Sequence, residues 1–284
     1  MTVEFEHFYG VDFSGAKLAG ENTWVAHLVP APFKRDPHRL RLEALHRLTR
    51  LAGTAARDPA LATLVSHVRG SDAALWAMDF PFGLPVEVMP PGATWRDQLD
   101  WLAGWGEDAY GLGLECIRRA RRAGLGMHVR RLSDTEARAP FDAYHYRIIY
   151  QTFFGMRDVV APLARTPRTA VLPFQYRRLK TARRVLVESC PSSALKKLGL
   201  PHQNYMQPAG GPLTRVRRRT RHRLLDWLSD RVVIDPTHRR VMMRNGGGDA
   251  MDAVIAAVGA AAGMRSADHA AIARHPRYRR EGRM

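Results

Sequence analysis

The stretch His7-Phe8-Tyr9-Gly10-Val11-Asp12-Phe13-Ser14-Gly15-Ala16-Lys17 decides the fold. Its apolar run ends abruptly at a carboxylate, and a turn rich in small residues follows. Phe8–Asp12 reads as a buried strand. A charge at the end of such a strand is costly unless something pairs with it. A metal ion would do so; backbone amides in an ordinary aspartate turn would do so too. Thr23–Val29 (TWVAHLV) reads as a second, antiparallel strand. Leu40–Leu45 alternates as LRLEAL and reads as a third strand or a helix. Ala73–Asp79 (AALWAMD) is apolar enough to be buried on both faces. It also ends in an aspartate, before the stiff exit Phe80–Pro85. Open α/β sheets place their chemistry at this carboxyl edge. Val185–Ser189 is one more apolar run. It contains Glu188, for which a bond to backbone or a neighbouring arginine is the plain alternative to a site role.

The helices follow from periodicity. Asp58-Pro59 reads as a helix start, with Leu61, Leu64, Val65 and Val68 at helical spacing. Trp95–Trp105 and Leu114–Ala123 are plausible helices, and Pro140–Leu163 is the clearest. Tyr144, Arg147 and Gln151 lie near one face of it, either as phosphate contacts or as an ordinary solvated or core-edge face. Arg218–Arg231 turns Leu224, Leu225, Trp227 and Leu228 inward. Ala250–Met264 is almost wholly small or apolar, as suits a helix lying close on a sheet. Residues 267–284 read as a loose, basic C-terminal tail. The expected architecture is α/β: a mixed sheet, with a three-strand meander and parallel later strands, flanked by helices.

Before that late helix stands GGGDAMDAVIAA, residues 246–257. Asp249 and Asp252, three apart, share a helical face. Asp249 also stands where a cap belongs, and an acid three residues on suits the helix dipole. Taken alone, the cap is the stronger reading, and the roles are compatible. Strand-end acids facing such a pair would accumulate negative charge, tolerable when a cation sits among them. Carboxylate oxygens are what hard divalent cations take.

The chain carries 284 residues and a net charge of +17; only five of its 44 basic residues are lysines. Arginines cluster at 118–122, 130–131, 177–184, 215–223 and 277–283. Such clustering is the footprint of a polyanion binder. Codon bias would explain arginine in place of lysine, but not the excess charge. No transmembrane run or secretory leader is evident, so no membrane partner is expected and the cytoplasm is the default location. Cys116 and Cys190 make neither a disulfide framework nor a zinc motif. The histidines lack metal-ligand spacing, Ser14 lacks a nucleophile-elbow context, and Gly246–Gly248 is not a P-loop. No coiled coil specifies an oligomer.

Four strings in order, VDFSGA, AMDFPFGLP, VESCPSSALKKLGLP and GGGDAMDAVIAA, with the helical RIIYQTFFGMRDVVAPL, resemble the DUF429 family of predicted RNase H-like nucleases. The resemblance runs from about residue 7 to 264. It implies one RNase H-like domain over 1–266, with a helical insertion at about 93–170 between strands 4 and 5. It places the site on Asp12, Asp79, Asp249 and Asp252, with Glu188 nearby, and the last helix is similar to that of junction resolvases. The expected activity is phosphodiester hydrolysis of DNA or RNA with Mg²⁺ or Mn²⁺. Asp12 would bridge two ions, Asp79 and Asp252 would hold one each, and Asp249 would assist. One departure stands out: the broader fold's second-strand acid is Glu, and here it is the shorter Asp79. The alternatives are a non-catalytic nucleic-acid binder and an actin-like ATPase. The latter is disfavoured because Phe13-Ser14-Gly15-Ala16 lacks that group's phosphate loop.

Overall fold

The computed structural model describes residues 4–33, 36–207 and 210–284. Among them, His7–Asp12 (β1) lies at the centre of a seven-stranded sheet. Trp24–Pro30 (β2) and Leu40–Arg47 (β3) continue from it as an antiparallel meander. On its other side Ala74–Met78 (β4) runs parallel to β1. Thr169–Val171 (β5) and Arg184–Glu188 (β6) follow, both parallel to β4, with β6 inside and β5 at the edge. Val232–Val233 (β7) adds two residues parallel to β3. The mixed α/β sheet matches the expectation. Leu40–Arg47 is the strand, not the helix. The short β5 and β7 carry too little pattern to be read ahead.

Two apolar layers sandwich the sheet. Alternation along each strand sends Tyr9, Val11, Trp76, Met78 and Leu186 to one face and Phe8, Leu75 and Val185 to the other. The first face is covered by Arg57–Gly70 (α1) and the helical segment between β4 and β5. That segment includes Trp95–Ala103 (α2), Ala109–Arg122 (α3) and Ile149–Phe154 (α4). The helix expected from Pro140 begins only at Ile149, after a run of turns. From Gly155 to Val160 it widens into π turns. Pro162 accounts for the widening: it has no N–H for the Asp158 carbonyl, and its ring would crowd it. Asp58 lies in the first turn of α1 and does not cap it, because the helix begins one residue earlier.

The second face carries Pro191–Lys197 (α5), Arg215–Ser229 (α6), Pro236–Arg244 (α7) and Asp249–Ser266 (α8). α8 crosses β1 closely because β1 has a glycine there. A Cβ on Gly10 would stand 1.8 Å from the Ala253 carbonyl oxygen and 2.7 Å from the Ala257 nitrogen. The alanines of α8 and this glycine are one device, bringing helix backbone against strand backbone.

The segment 267–284 is not loose. It folds into His269–Arg274 (α9) and Tyr278–Glu281 (α10) and docks. Glu281 is fully buried, and its Oε1 accepts from the Leu132 amide at 2.7 Å. The Arg280 carbonyl takes Gln98 Nε2 at 2.7 Å, and Tyr278 donates to Glu136. Its basic composition concealed the residues that anchor it, Ile272, Tyr278 and Glu281. No described helix is long and apolar enough to cross a membrane.

Candidate active site at the sheet edge

Val11 and Met78 are register partners on parallel neighbours, so Asp12 and Asp79 end adjacent strands side by side. The Asp79 amide donates to the Val11 carbonyl at 2.9 Å, which fixes that pairing. Strand alternation turns both carboxyls toward the face bearing α8. The first turn of α8 supplies Asp249 and Asp252. The structure thus gathers four of the five expected acids at one place.

It does not bring Glu188 to that face. Glu188 is paired with Met78 in the ladder and points to the opposite side of the sheet. There Arg131, fully buried, grips both its oxygens, with Nη1–Oε2 at 2.7 Å. The Phe82 amide donates to Glu188 at 2.9 Å, and Arg131 also holds Asp134 at 2.6 Å and the Glu281 carbonyl at 3.1 Å. The carboxylate that looked like a fifth site acid is the hub joining β6, the insertion and the docked C-terminal helices.

Asp252 is 3% exposed and accepts from Tyr205 Oη at 2.9 Å. Burial pushes its pKa up to about 7, against the Tyr205 bond, with the Asp249 charge adding to the rise. Burial raises Asp12 and Asp79 well above the carboxylate range; Asp252 and Asp79 add to the first, Asp252 and Glu188 to the second. Among the described residues neither the Asp12 nor the Asp79 carboxyl receives a hydrogen bond from the protein. Asp249 is not the cap. Gly248, at φ +96°, takes the N-cap position, and Asn245 Oδ1 accepts from the Ala250 amide at 3.0 Å. Asn245 Nδ2 also donates to Asp249 at 3.2 Å. With capping handed to Asn245, Asp249 is left facing the cluster.

Two residues that support this arrangement carried no sequence signal of their own. Tyr205 is almost fully buried, and Arg221 is wholly so. Arg221 belongs to the 215–223 arginine cluster, yet it touches no solvent. Nε donates to the Tyr205 carbonyl at 2.6 Å, Nη1 to Met242 at 2.8 Å and Asn245 at 2.6 Å, and Nη2 to Gly246 at 2.8 Å. It caps the C-terminus of α7, where a cation is favoured, and pins the glycine loop that launches α8. Arg131, likewise, is a buried pivot and no surface contact. Exposed cations remain on α6 at Arg215, Arg218, Arg219 and Arg223. Of the insertion residues read as either phosphate contacts or an ordinary solvated or core-edge face, Tyr144 is buried. Gln151 donates to the Phe13 carbonyl at 2.6 Å, bracing the loop after Asp12. Arg147 is exposed.

The donor set is all carboxylate oxygen, which suits Mg²⁺ or Mn²⁺ and not softer metals. Two carboxylates without a protein donor are the observation that fits such an ion. Among the described residues no three ligating side chains are grouped closely enough to enclose one. Burial pushes the Cys190 thiol, near Asp79, up to about 12, away from the thiolate form that a nucleophile needs.

A mixed α/β sheet with half-buried aspartates at the ends of two adjacent strands, faced by an acidic helix start, defines the class. A family model described as "Protein of unknown function (DUF429)" matches residues 10–276, and the chain belongs to that family. No curated protein and no solved structure matches it.

Proposed function

We propose that this protein is a metal-dependent nuclease of RNase H-like fold, hydrolysing phosphodiester bonds of DNA or RNA. The fold reading is supported by the meander around β1, the parallel β4 beside it and the helical segment after β4. The observation that carries the activity is the meeting of Asp12 and Asp79 with Asp249 and Asp252, none of which forms a salt bridge among the described residues. When bound, Mg²⁺ or Mn²⁺ would lower the pKa of a water and stabilise the leaving oxygen.

The chain's own residues have distinct parts in this. Asp12 and Asp79 present oxygens from rigid strand ends. Asp252 is held in one orientation by Tyr205, and Asp249 by Asn245. The glycine-permitted contact between α8 and β1 sets the distance between the two pairs. The exposed arginines of α6 lie on the element that Arg221 ties to the site, and they suit a phosphate backbone. Such contacts position a nucleic acid without reading its sequence. The Glu188–Arg131 hub keeps the β6 end and the insertion in register with the site.

The test is cleavage of labelled DNA and RNA by wild type and Asp12→Asn, each with Mg²⁺, Mn²⁺ or chelator. The expected result is metal-dependent cleavage that Asp12→Asn abolishes. Cleavage retained in that variant, or in chelator, would refute the reading. Metal-independent, salt-sensitive binding without cleavage would favour the non-catalytic binder.

A further inference from the structure

A cavity of ≈ 730 Å³ lies beyond the end of β6, between the C-terminal half of α8 and the insertion residues 133–138. Its walls are the β6 exit, α5, the C-terminal half of α8 and the docked segment that follows α8. The volume falls within the range of about 300–1,000 Å³ typical of small-molecule sites. Its inner end is one strand from the aspartates, since the Ser189 amide donates to the Met78 carbonyl at 2.9 Å.

The chemistry of the lining is one-sided. Its acids are already engaged. Glu188 is held by Arg131, Glu136 accepts from Tyr278 Oη at 2.8 Å, and Asp268 caps α9 through the Ala271 amide at 2.9 Å. Of the cations, Lys196 donates to the Arg138 carbonyl at 2.8 Å. Among the described residues, the side chains of Arg138, Lys197 and Arg283 have no carboxylate or carbonyl partner; Arg283 lies against Tyr278, over its ring and beside its hydroxyl. Leu172, Pro173 and Ile272 offer an apolar wall.

We propose that this cavity binds a nucleotide unit, with its phosphate on Arg138, Lys197 and Arg283 and its base against the apolar wall. The choice of a nucleotide over another phosphorylated molecule of that size rests on the nuclease reading. The unit is either a free mononucleotide or the terminal nucleotide of a strand, and both present the same chemistry.

The test is calorimetric titration of the full chain in chelator with nucleoside 5′-monophosphates, inorganic phosphate, and short oligonucleotides with and without a terminal phosphate. Two variants are run beside it. In Lys197→Ala/Arg283→Ala the cations are removed. In Gly263→Phe the cavity is filled; a Cβ there meets nothing within 4 Å, so the fold is spared. The expected result is saturable mononucleotide binding, at least about tenfold weaker in the double variant, which is about 1.4 kcal/mol. Gly263→Phe should bind nothing at an unchanged melting temperature. Mononucleotide that displaces a phosphorylated oligonucleotide would assign the site to a strand end; failure to displace would assign it to the free nucleotide. No mononucleotide binding, equal affinity for inorganic phosphate, or binding indifferent to both variants would overturn the proposal. Binding is read without metal, so its failure is separable from loss of cleavage. A chain that cleaves without binding mononucleotide defeats only the cavity assignment.

Discussion

Replacing Asp252 with asparagine should stabilise the metal-free protein at alkaline pH, although it removes a residue of the proposed site. The carboxyl is 3% exposed, and its pKa rises from 3.8 to about 7 on folding, chiefly through burial. Folding therefore favours the protonated form. The sign follows: below the unfolded value both states hold the proton and there is no penalty. Between about pH 4 and 7 the unfolded chain has lost its proton while the native one keeps it, and stability falls by about 1.4 kcal/mol per pH unit. Above the folded value the loss levels off at about 4 kcal/mol, the cost of holding this charge among its neighbours. Asparagine keeps an oxygen for the Tyr205 hydroxyl and cannot ionise. The assay is urea unfolding of wild type and Asp252→Asn in chelator, from pH 5 to 8.5 at fixed ionic strength. The gap between them should widen with pH in favour of the variant, and Mg²⁺ should narrow it by stabilising wild type alone. A gap that does not change with pH, or a variant less stable at pH 8, would refute the electrostatic account of the site.

Four further outcomes are expected. Gly10→Ala should lower stability by more than the about 1–3 kcal/mol of ordinary overpacking, because its Cβ meets backbone 1.8 Å away; chemical denaturation checks this, and cleavage should fall with it. Glu188→Gln should cost about 3–5 kcal/mol, the penalty for breaking a buried ion pair, while the folded fraction keeps its cleavage rate; a fold-neutral loss of rate would return Glu188 to the site. Removing Arg218 and Arg219 should weaken binding to all sequences alike and reduce the slope of log affinity against log salt by about two, as fluorescence anisotropy would show. Arg221→Met, in the same run of sequence, should instead lower the melting temperature, because the carbonyls of Tyr205, Met242, Asn245 and Gly246 lose their donor.

The strands that form the site were legible because each is a short apolar run ending in an acid, and only a buried strand explains both halves of that pattern. The pairing of Asp12 with Asp79 was not legible in the runs themselves, since nothing in either says that the two strands are neighbours; the family resemblance implied it, and the in-register parallel pairing of β1 with β4 brings the two ends together. Glu188 shows where the reasoning stops. It ends an equally apolar strand, but the face on which a strand-end side chain emerges depends on register, and its partner Arg131 lies 57 positions away in an unpatterned stretch. Arg221 is a second case: a run of arginines looks alike in sequence, and burial alone separates the one that caps a helix from those that face solvent. The docked helices α9 and α10 were hidden for the same reason, as a few buried side chains outweigh a basic composition.

Four aspartates at one edge raise the question of how the fold tolerates them. Helix α8 offers its N-terminus to the cluster, where the helix dipole favours negative charge. Arg221 sits wholly buried behind it, bonded only to neutral carbonyls, so its charge is not cancelled by an ion pair of its own. A carboxylate within reach of Arg221 would have neutralised that support and left Asp252 to its neighbours. The capping task likewise falls to Asn245, which frees Asp249 from the role its position suggests. Each neutral partner in place of a charged one leaves these carboxyls without an ion pair, so that burial raises their pKa values in the metal-free protein. Acids left unpaired, on a chain of net charge +17 whose other described buried acids are paired, are what the proposed divalent-cation site requires.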